Sequence, residues 1–377
     1  FEEEKLPDYP ALAELLGGKT GLGEEEAERE DLHAYQEQVA SLLLVQEAPD
    51  TLAEPPLPTT SLQQGALIAS RYSIKRTIGF GMVGAVYCVN DREEGESEQF
   101  ALKYPVCEEE QRAIKTIQER SLNCLGVPSL FDWGLHKDKP YVVTELLGSR
   151  IADIFQRLER RPLSARWHFL STLGRLLLRR LKAIHACGFV HCDVQPLNIV
   201  MGLDAKCKDH VPFLVDFGEA RPFPNGRLML GHHGSVDFNS IHSATACQRG
   251  PCDDIESLGW LLCHGLFGEL PWFHMSAEAK WSDGDTGKIS RSQACRQVQW
   301  AKATLLEKGC SAFGPAWAHL AELPIQLVDF LRLCQYDDSH DSGGRPNYAA
   351  LEALLCGSAC RSDEEKEESD LRLLEVQ

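Results

Sequence analysis

Apolar and polar positions alternate differently in the two halves of this chain. Between residues 71 and 144, four segments are rich in Val, Ile, Tyr and Phe and are bounded by Gly, Pro or charged clusters, as β-strands are: 71–78, 85–89, 100–104 and 141–144. A stretch over residues 108–119 interrupts them, with Ala113, Ile114 and Ile117 apolar at helical spacing. This half is predicted to form a small antiparallel sheet with one helix.

Beyond Gly148 the apolar positions follow a helical period. Helices are predicted over residues 151–158, 163–185, 255–266, 290–307 and 324–333. The expected fold class is therefore α+β, with a small β-rich unit followed by a larger, mainly helical unit.

The first 64 residues have the composition of an extension, because they are Gly-rich at 17–23, acidic at 24–30 and Pro-rich at 49–58. Between these breaks a helix is predicted over residues 24–45. Its apolar residues recur at steps of 3, 4 and 3 and form one stripe: Leu32, Tyr35, Val39 and Leu42. Two interpretations stay open: the stripe packs on its own domain, or the helix docks a partner protein.

The negative charge of the chain is concentrated at its ends. The formal net charge is -18, from 56 acidic and 38 basic residues. Residues 1–64 contain 15 acidic and 3 basic residues, a net of -12, and residues 361–377 contain 7 and 3, a net of -4. The body between them is nearly neutral and has no basic excess to neutralise a phosphate backbone, so nucleic acid is not an expected partner.

Membrane and disulfide-rich classes do not fit this sequence. No apolar run reaches the ~20 residues of a membrane span, and the best candidate, around residues 260–267, is interrupted by His264 and Gly265. The 14 cysteines contain no CxxC pair, which favours thiols in a reducing intracellular compartment, cytoplasm or nucleus, over a zinc site. Because the chain begins with Phe1, a removed targeting peptide is an open alternative.

A glycine-rich segment joins two of the predicted strands. Gly79, Gly81 and Gly84 would let main-chain N–H groups approach phosphate oxygens where a Cβ would intrude, although such a hairpin also arises for structural reasons. Lys103 follows on the next strand, where an ammonium needs an anionic partner. Glu110, on the following helix, would pair with Lys103 and hold the amine against phosphates.

Two further motifs follow at fixed spacing. Asp193 and Asn198 stand five residues apart between apolar segments, and Asp216 begins the run Asp-Phe-Gly eighteen residues later. The order GxGxxGxV, strand lysine, H-x-D-x-x-x-x-N and D-F-G resembles that of the eukaryotic protein kinases.

The resemblance extends over residues 70–356 and can be narrowed to a branch. The motifs at residues 145–149, 184–185, 198–202, 253–259 and 270–272 look like those of casein kinase 1 and its relatives, the vaccinia-related kinases. The resemblance implies a bilobal protein-kinase-like fold with an N-lobe at 65–146 and a C-lobe at 147–357. The acidic extension, 1–64, and an acidic tail, 358–377, lie outside it.

The resemblance also implies roles, with ATP and Mg²⁺ as cofactors. Asp193 would accept the proton of a protein hydroxyl, and Asn198 and Asp216 would hold Mg²⁺. The catalytic set comprises Asp193, Lys103, Glu110 and Asn198. The nucleotide would be bound by Gly79, Gly81, Gly84, Val86, Ala101, Lys103, Thr144, Glu145, Leu147 and Asp216.

Three departures from the family pattern affect this expectation. Cys192 replaces the arginine that pairs with a loop phosphate, and residues 219–233 contain no Ser, Thr or Tyr to phosphorylate. Gln195 replaces a lysine near the transferred phosphoryl group, a change expected to slow transfer by roughly 10- to 150-fold. Pro251 and Cys252 stand where casein kinase 1 has two arginines that favour acidic substrates.

The expected function is a Ser/Thr protein kinase, weakened by Gln195 and Cys192, that transfers the ATP γ-phosphate to a protein substrate. The alternative is a pseudokinase-like binding or structural component of a larger assembly.

Overall fold

The computed structural model describes residues 22–43, 62–81, 83–93, 98–120, 126–203, 211–223, 234–244, 249–274, 291–314, 317, 323–335 and 346–356. Most of the predicted N-terminal extension and all of the predicted tail at 358–377 lie outside these residues. Their boundaries and those of the two lobes therefore stay predictions. No helix in the described ranges is both long and apolar enough to cross a membrane.

A six-stranded antiparallel sheet forms the first unit. Four of its strands confirm the predicted segments, and β1 and β5 are additional. The spatial order is β1-β2-β3-β4-β6-β5, with the bounds β1 (Leu67–Ile68), β2 (Tyr72–Phe80), β3 (Ala85–Asp91), β4 (Gln99–Tyr104), β5 (Leu130–His136) and β6 (Lys139–Glu145).

Strand β4 shows how the sheet divides its side chains between two faces. Phe100, Leu102 and Tyr104 are buried in an apolar cluster on one face. Ala101 and Lys103 therefore project from the opposite face, since successive side chains of a strand alternate.

One helix, α2 (Glu108–Arg120), packs on the sheet as predicted. Ala113, Ile114 and Ile117 are buried, which confirms the apolar spacing seen in the sequence. Gln111 donates from Nε2 to the carbonyl oxygen of Tyr141 at 3.2 Å, and Gln118 Oε1 accepts from the amide of Leu130 at 3.0 Å. These two bonds fix α2 against β5 and β6.

The second unit is mainly helical. Its helices are α3 (Ile151–Leu158), α4 (Leu163–Ala186), α5 (Pro251–Phe267), α6 (Arg291–Lys308), α7 (Ile325–Cys334) and α8 (Tyr348–Cys356). The five predicted helices are confirmed and α8 is additional. Helix α5 begins at Pro251, four residues before the predicted start, because proline suits a first helical turn and Asp253 Oδ2 accepts from the amide of Gly250 at 2.7 Å.

Two short antiparallel ladders hold the loops between α4 and α5. Strand β7 (Phe189–Val190) pairs with β10 (Arg221–Pro222), and β8 (Ile199–Met201) pairs with β9 (Pro212–Leu214). They place residues 191–198 beside residues 215–220. The predicted α+β architecture, a β-rich unit with one helix followed by a helical unit, is confirmed.

The N-terminal helix α1 (Leu22–Leu43) packs on α4 of the second unit. Leu32 and Tyr35 are buried, and the Tyr35 ring stacks on Phe169 with 4.8 Å between centroids. Leu32 and Tyr35 thus pack on the chain's own domain, which is the first of the two interpretations. The alternative, that this face docks a partner, is not supported for them, and the side chains of Val39 and Leu42 lie outside the described residues.

Ion pairs reinforce the α1–α4 contact. Asp31 accepts from Arg175 at 2.5 Å and from Arg179 at 2.7 Å, and Glu28 accepts from the buried Arg180 at 2.7 Å. Two acidic residues of the extension thereby form ion pairs with three arginines of α4.

Candidate active site

Three charged side chains predicted from the sequence meet beside the sheet. Lys103 Nζ lies 2.6 Å from Glu110 Oε1 and 2.7 Å from Asp216 Oδ1. Lys103 projects from β4, Glu110 lies in the first turn of α2, and Asp216 begins a short 3₁₀ turn with a left-handed φ of 65°. A single ammonium therefore joins the sheet, the helix and the loop after β9.

Burial and pairing oppose each other in this cluster. Burial acts to lower the pKa of Lys103, but Glu110 and Asp216 outweigh it and raise that pKa. Burial acts to raise the pKa of Asp216, yet the Lys103 ammonium and the Gly218 amide hold it below its ordinary value. Lys103 and Asp216 thus form a charged pair at neutral pH.

The glycine-rich loop closes over this pair. A Cβ on Gly81 would lie 3.5 Å from Lys103 Cε and 3.7 Å from Asp216 Oδ2, so the Gly81 backbone lies directly against both. A Cβ on Gly84 would come within 2.1 Å of the Pro105 carbonyl oxygen, an approach that only glycine allows. The Gly81 amide donates to the Gly84 carbonyl at 2.7 Å and closes the turn.

Three other predicted nucleotide residues, Val86, Ala101 and Thr144, lie on the face of the sheet that carries Lys103. Val86 pairs with Lys103, and Ala101 pairs with Thr144. After β6, Glu145 donates its amide to the carbonyl of Ser129 at 3.0 Å, and the Leu147 main chain forms no hydrogen bond with another described residue. The main-chain groups of Leu147 are thus not engaged by the described part of the chain.

A second polar cluster forms around Asp193. Its Oδ2 accepts from Asn198 Nδ2 and from Gln195 Nε2, both at 2.8 Å. Its Oδ1 accepts from the main-chain amide of Ser235 at 2.9 Å. Three donors on two loops thereby fix the orientation of one carboxylate.

The Ser235 contact was not expected from the motifs. It depends on Gly234, which has a φ of +70°. A side chain at this position would place its Cβ 2.6 Å from the Cys192 carbonyl oxygen. A Gly-Ser pair is too common in sequences to signal such a contact. Only the fold brings residue 235 to residue 193.

The loop that carries Asp193 is braced from below by buried Asp254. Asp254 accepts from the amides of His191 at 2.7 Å and Cys192 at 2.8 Å, and it lies 2.8 Å from His185 Nε2. Burial acts to raise the pKa of Asp254, but its bonds with His185 and with the His191 amide lower it. The Tyr348 hydroxyl, 2.5 Å from His185 Nδ1, extends this brace to α8.

The two clusters are joined through the segment around Val215. The Val215 amide donates to the Asn198 carbonyl at 3.0 Å, and His191 Nε2 lies 3.2 Å from the Val215 carbonyl. The His191 ring also packs on Phe217 with 5.0 Å between centroids. Lys103, Glu110 and Asp216 are thus brought beside Asp193 and Asn198.

Cys192 lies in an apolar contact. It is 3% exposed and clusters with Val190 and Phe223. Burial raises the pKa of its thiol. The position therefore holds a neutral side chain that packs against apolar neighbours.

The oxygen atoms of Asn198 and Asp216 suit a divalent cation. Asn198 Nδ2 is engaged by Asp193, which leaves its side-chain oxygen as a ligand, and Asp216 Oδ2 has no hydrogen-bond partner among the described residues. The same ranges contain no group of three or more His, Cys, Asp and Glu arranged to hold a metal. The two residues fit a cation that takes its other ligands from phosphate oxygens and water.

Comparison with known proteins agrees with this geometry. The profile of the family described as "Protein kinase domain" matches residues 72–340, a range that contains both clusters. A probable serine/threonine-protein kinase of Dictyostelium discoideum is 29% identical over 307 residues, which cover 77% of this chain and 54% of that protein. The chain spans about half the length of this relative. It belongs to the protein kinase family.

Proposed function

We propose that this protein is a serine/threonine kinase that transfers the γ-phosphate of ATP to hydroxyl groups of a protein substrate. The observation that carries the proposal is the carboxylate of Asp193, oriented by Asn198 beside the Lys103–Asp216 pair. A carboxylate held at one angle can accept, or at least orient, the proton of an incoming hydroxyl.

The cluster of Lys103, Glu110 and Asp216 would bind the nucleotide. Lys103, fixed by Glu110, would bind the α- and β-phosphates, and the Gly81 backbone above it would cover them. Mg²⁺, held by Asp216 and Asn198, would neutralise charge on the phosphates. Thr144, Glu145 and Leu147 would line the adenine side of the cleft.

The finer assignment to the casein kinase 1 and vaccinia-related branch rests on its sequence motifs. Two positions argue for a different substrate preference within that branch. Pro251 begins α5 and Cys252 is 5% exposed, so neither supplies the positive charge that recognises acidic substrates. The proposed substrate is thus a protein Ser or Thr without an acidic requirement at this point.

The proposed kinase is not regulated by phosphorylation of residues 219–233, which contain no Ser, Thr or Tyr. Phe223 and Val190 pack on Cys192 where the family pattern has a phosphate-binding arginine. Apolar contacts at Cys192 thus replace the contact between an arginine and a loop phosphate.

A reducing compartment, cytoplasm or nucleus, is the proposed location. The cysteines of the described ranges form no disulfide with one another and most of them are buried, which fits that environment.

One observation favours a second candidate, a kinase-fold protein that binds partners without efficient transfer. Gln195 Nε2 donates to Asp193 Oδ2, where the family pattern has a lysine, and Ser235 engages Oδ1. A neutral amide supplies less stabilisation to the transferred phosphoryl group than an ammonium. Both oxygens of the proposed base are therefore engaged before any substrate arrives.

Phosphate transfer to a Ser/Thr peptide library decides between the two candidates. The kinase proposal predicts that γ-³²P from ATP–Mg²⁺ is transferred by wild type, and that Asp193→Asn reduces the rate by about 10²- to 10⁴-fold. Asp138→Asn, an exposed acid on the β5–β6 turn, serves as the matched control and should transfer at the wild-type rate. Equal signals from wild type and Asp193→Asn, with nucleotide still raising the melting temperature, would support the binding protein.

A further inference from the structure

A buried lysine lies beneath the segment that contacts Asp193. Lys302, on α6, is 1% exposed, and its ammonium lies 5.5 Å from the ring centroids of both Trp260 and Trp272. It donates to the carbonyl of Val236 at 3.4 Å and to that of Asn239. Two indole faces and two carbonyls of one turn thus surround the cation.

This position is costly for an ammonium. Burial acts to lower the pKa of Lys302, while Glu256 and Asp237 favour its charged form. Cys295 and Arg249 are the other titratable groups near it. A neutral apolar side chain of similar volume would avoid the desolvation penalty, so the location of Lys302 requires a reason other than fold stability.

The turn bound by Lys302 is held on the same side by its neighbours. Trp272 Nε1 donates to the Asp237 carbonyl at 3.1 Å. Glu256 Oε1 accepts from the amide of Ile241 at 2.8 Å and from Trp260 Nε1 at 2.9 Å. Residues 236–241 are therefore attached to α5, to α6 and to the residues just after α5 through their main chain.

Hydrogen bonds connect the turn at residues 236–241 to Asp193 through Ser235. The amides of Phe238 and Asn239 donate to the Ser235 carbonyl at 3.2 and 2.9 Å. The Ser235 amide in turn donates to Asp193 Oδ1. An unbroken chain of bonds runs from the Lys302 ammonium to the carboxylate.

We infer that Lys302 is a positioning residue for the protein-substrate side of the site, which it serves by fixing the main chain of residues 235–239 against Asp193. The inference rests on the proposed kinase function, because it concerns how a peptide hydroxyl meets Asp193. ATP binding should not depend on Lys302, since Lys103 and Asp216 contact the Gly81 loop rather than this turn.

The test separates peptide use from nucleotide use in Lys302→Met, with Lys308→Met, an exposed lysine at the end of the same helix, as the matched control. The best peptide from the Ser/Thr library is the substrate. For Lys302→Met, kcat/KM for the peptide should fall by about tenfold or more, the effect of losing charged hydrogen bonds, while the Kd for ATP stays within twofold. Lys308→Met should match wild type in both.

Hydrogen exchange gives a readout that does not need activity. In Lys302→Met, the amides of residues 235–241 should exchange faster than in Lys308→Met, with the rest of the chain unchanged. If Lys302→Met does not fold, Lys302→Gln, which keeps a donor without the charge, takes its place.

Three results would overturn the inference: an unchanged peptide kcat/KM, equal losses for peptide and ATP, or unchanged exchange at residues 235–241. If wild type transfers phosphate to no peptide, the kinase proposal fails, and the exchange result alone decides whether Lys302 fixes the turn.

Discussion

Replacing Tyr35 by alanine tests whether the N-terminal helix is an integral part of the folded domain. The Tyr35 side chain is fully buried and stacks on Phe169, and Asp31 beside it bonds Arg175. Truncating a buried aromatic residue costs about 3–5 kcal/mol. At about 2 °C for each kcal/mol in a domain of this size, the melting temperature should fall by roughly 6–10 °C.

The same position offers a conservative change with the opposite expectation. The Tyr35 hydroxyl is buried and has no hydrogen-bond partner among the described residues. Tyr35→Phe keeps the ring contact and removes this group, so stability should stay the same or rise by about 1 kcal/mol.

Thermal unfolding followed by circular dichroism measures both effects. Gln36→Ala changes an exposed neighbour on the same helix and should melt with wild type. The account of α1 is refuted if Tyr35→Ala and Gln36→Ala have the same melting temperature.

Three further predictions concern the site and the core. Gln195→Lys restores a cation beside Asp193 and should raise the transfer rate by about tenfold or more, while an unchanged rate would show that the amide is not limiting. Glu110→Gln should weaken ATP binding about tenfold, because Lys103 loses a 2.6 Å charged partner, and the exposed neighbour Glu109→Gln should not. Burial lowers the pKa of His264 to about 4. Between pH 6.5 and pH 4 the imidazole is therefore protonated in the unfolded state but neutral in the folded state. Stability from this group should be present above pH 6.5 and fall by about 3 kcal/mol as the pH drops to 4. His264→Phe should lose less stability over that window in urea titrations, and equal losses would contradict the assignment.

The motif residues could be placed from the sequence because each is fixed by local geometry. The strand period puts Lys103 on the face opposite Leu102, and the helical period puts Glu110 on the same face as Ile114. Their meeting at 2.6 Å follows from two adjacent elements.

Strand β5 shows why other elements could not be predicted from the periodicity of the sequence. Its large apolar residues Phe131, Trp133 and Leu135 are the exposed ones, and Asp132 lies inward where it accepts from the Tyr72 hydroxyl at 2.7 Å. The alternation is therefore inverted relative to the usual pattern. The alternation in β5 is typical of a strand, but from the sequence alone it would assign the apolar residues to the buried face.

Lys302 and Ser235 depend on contacts between distant segments. A lysine in an amphipathic helix is expected to face water, whereas Lys302 is buried by Trp260, Trp272 and the turn at residues 236–239. The Ser235 contribution is a main-chain amide, which carries no sequence signal. Both belong to the part of the site that we propose meets the protein substrate, and the motifs do not reveal that part.

Phosphoamino acid analysis under multiple-turnover conditions tests the central claim most directly. Wild type and Asp193→Asn are each incubated with ATP–Mg²⁺ and the Ser/Thr peptide library, and phosphoserine and phosphothreonine are counted per molecule of protein. The account predicts many phosphates per wild-type molecule and a loss of about 10²-fold or more in the variant. Fewer than one phosphate per wild-type molecule, with the same yield from Asp193→Asn, would contradict it.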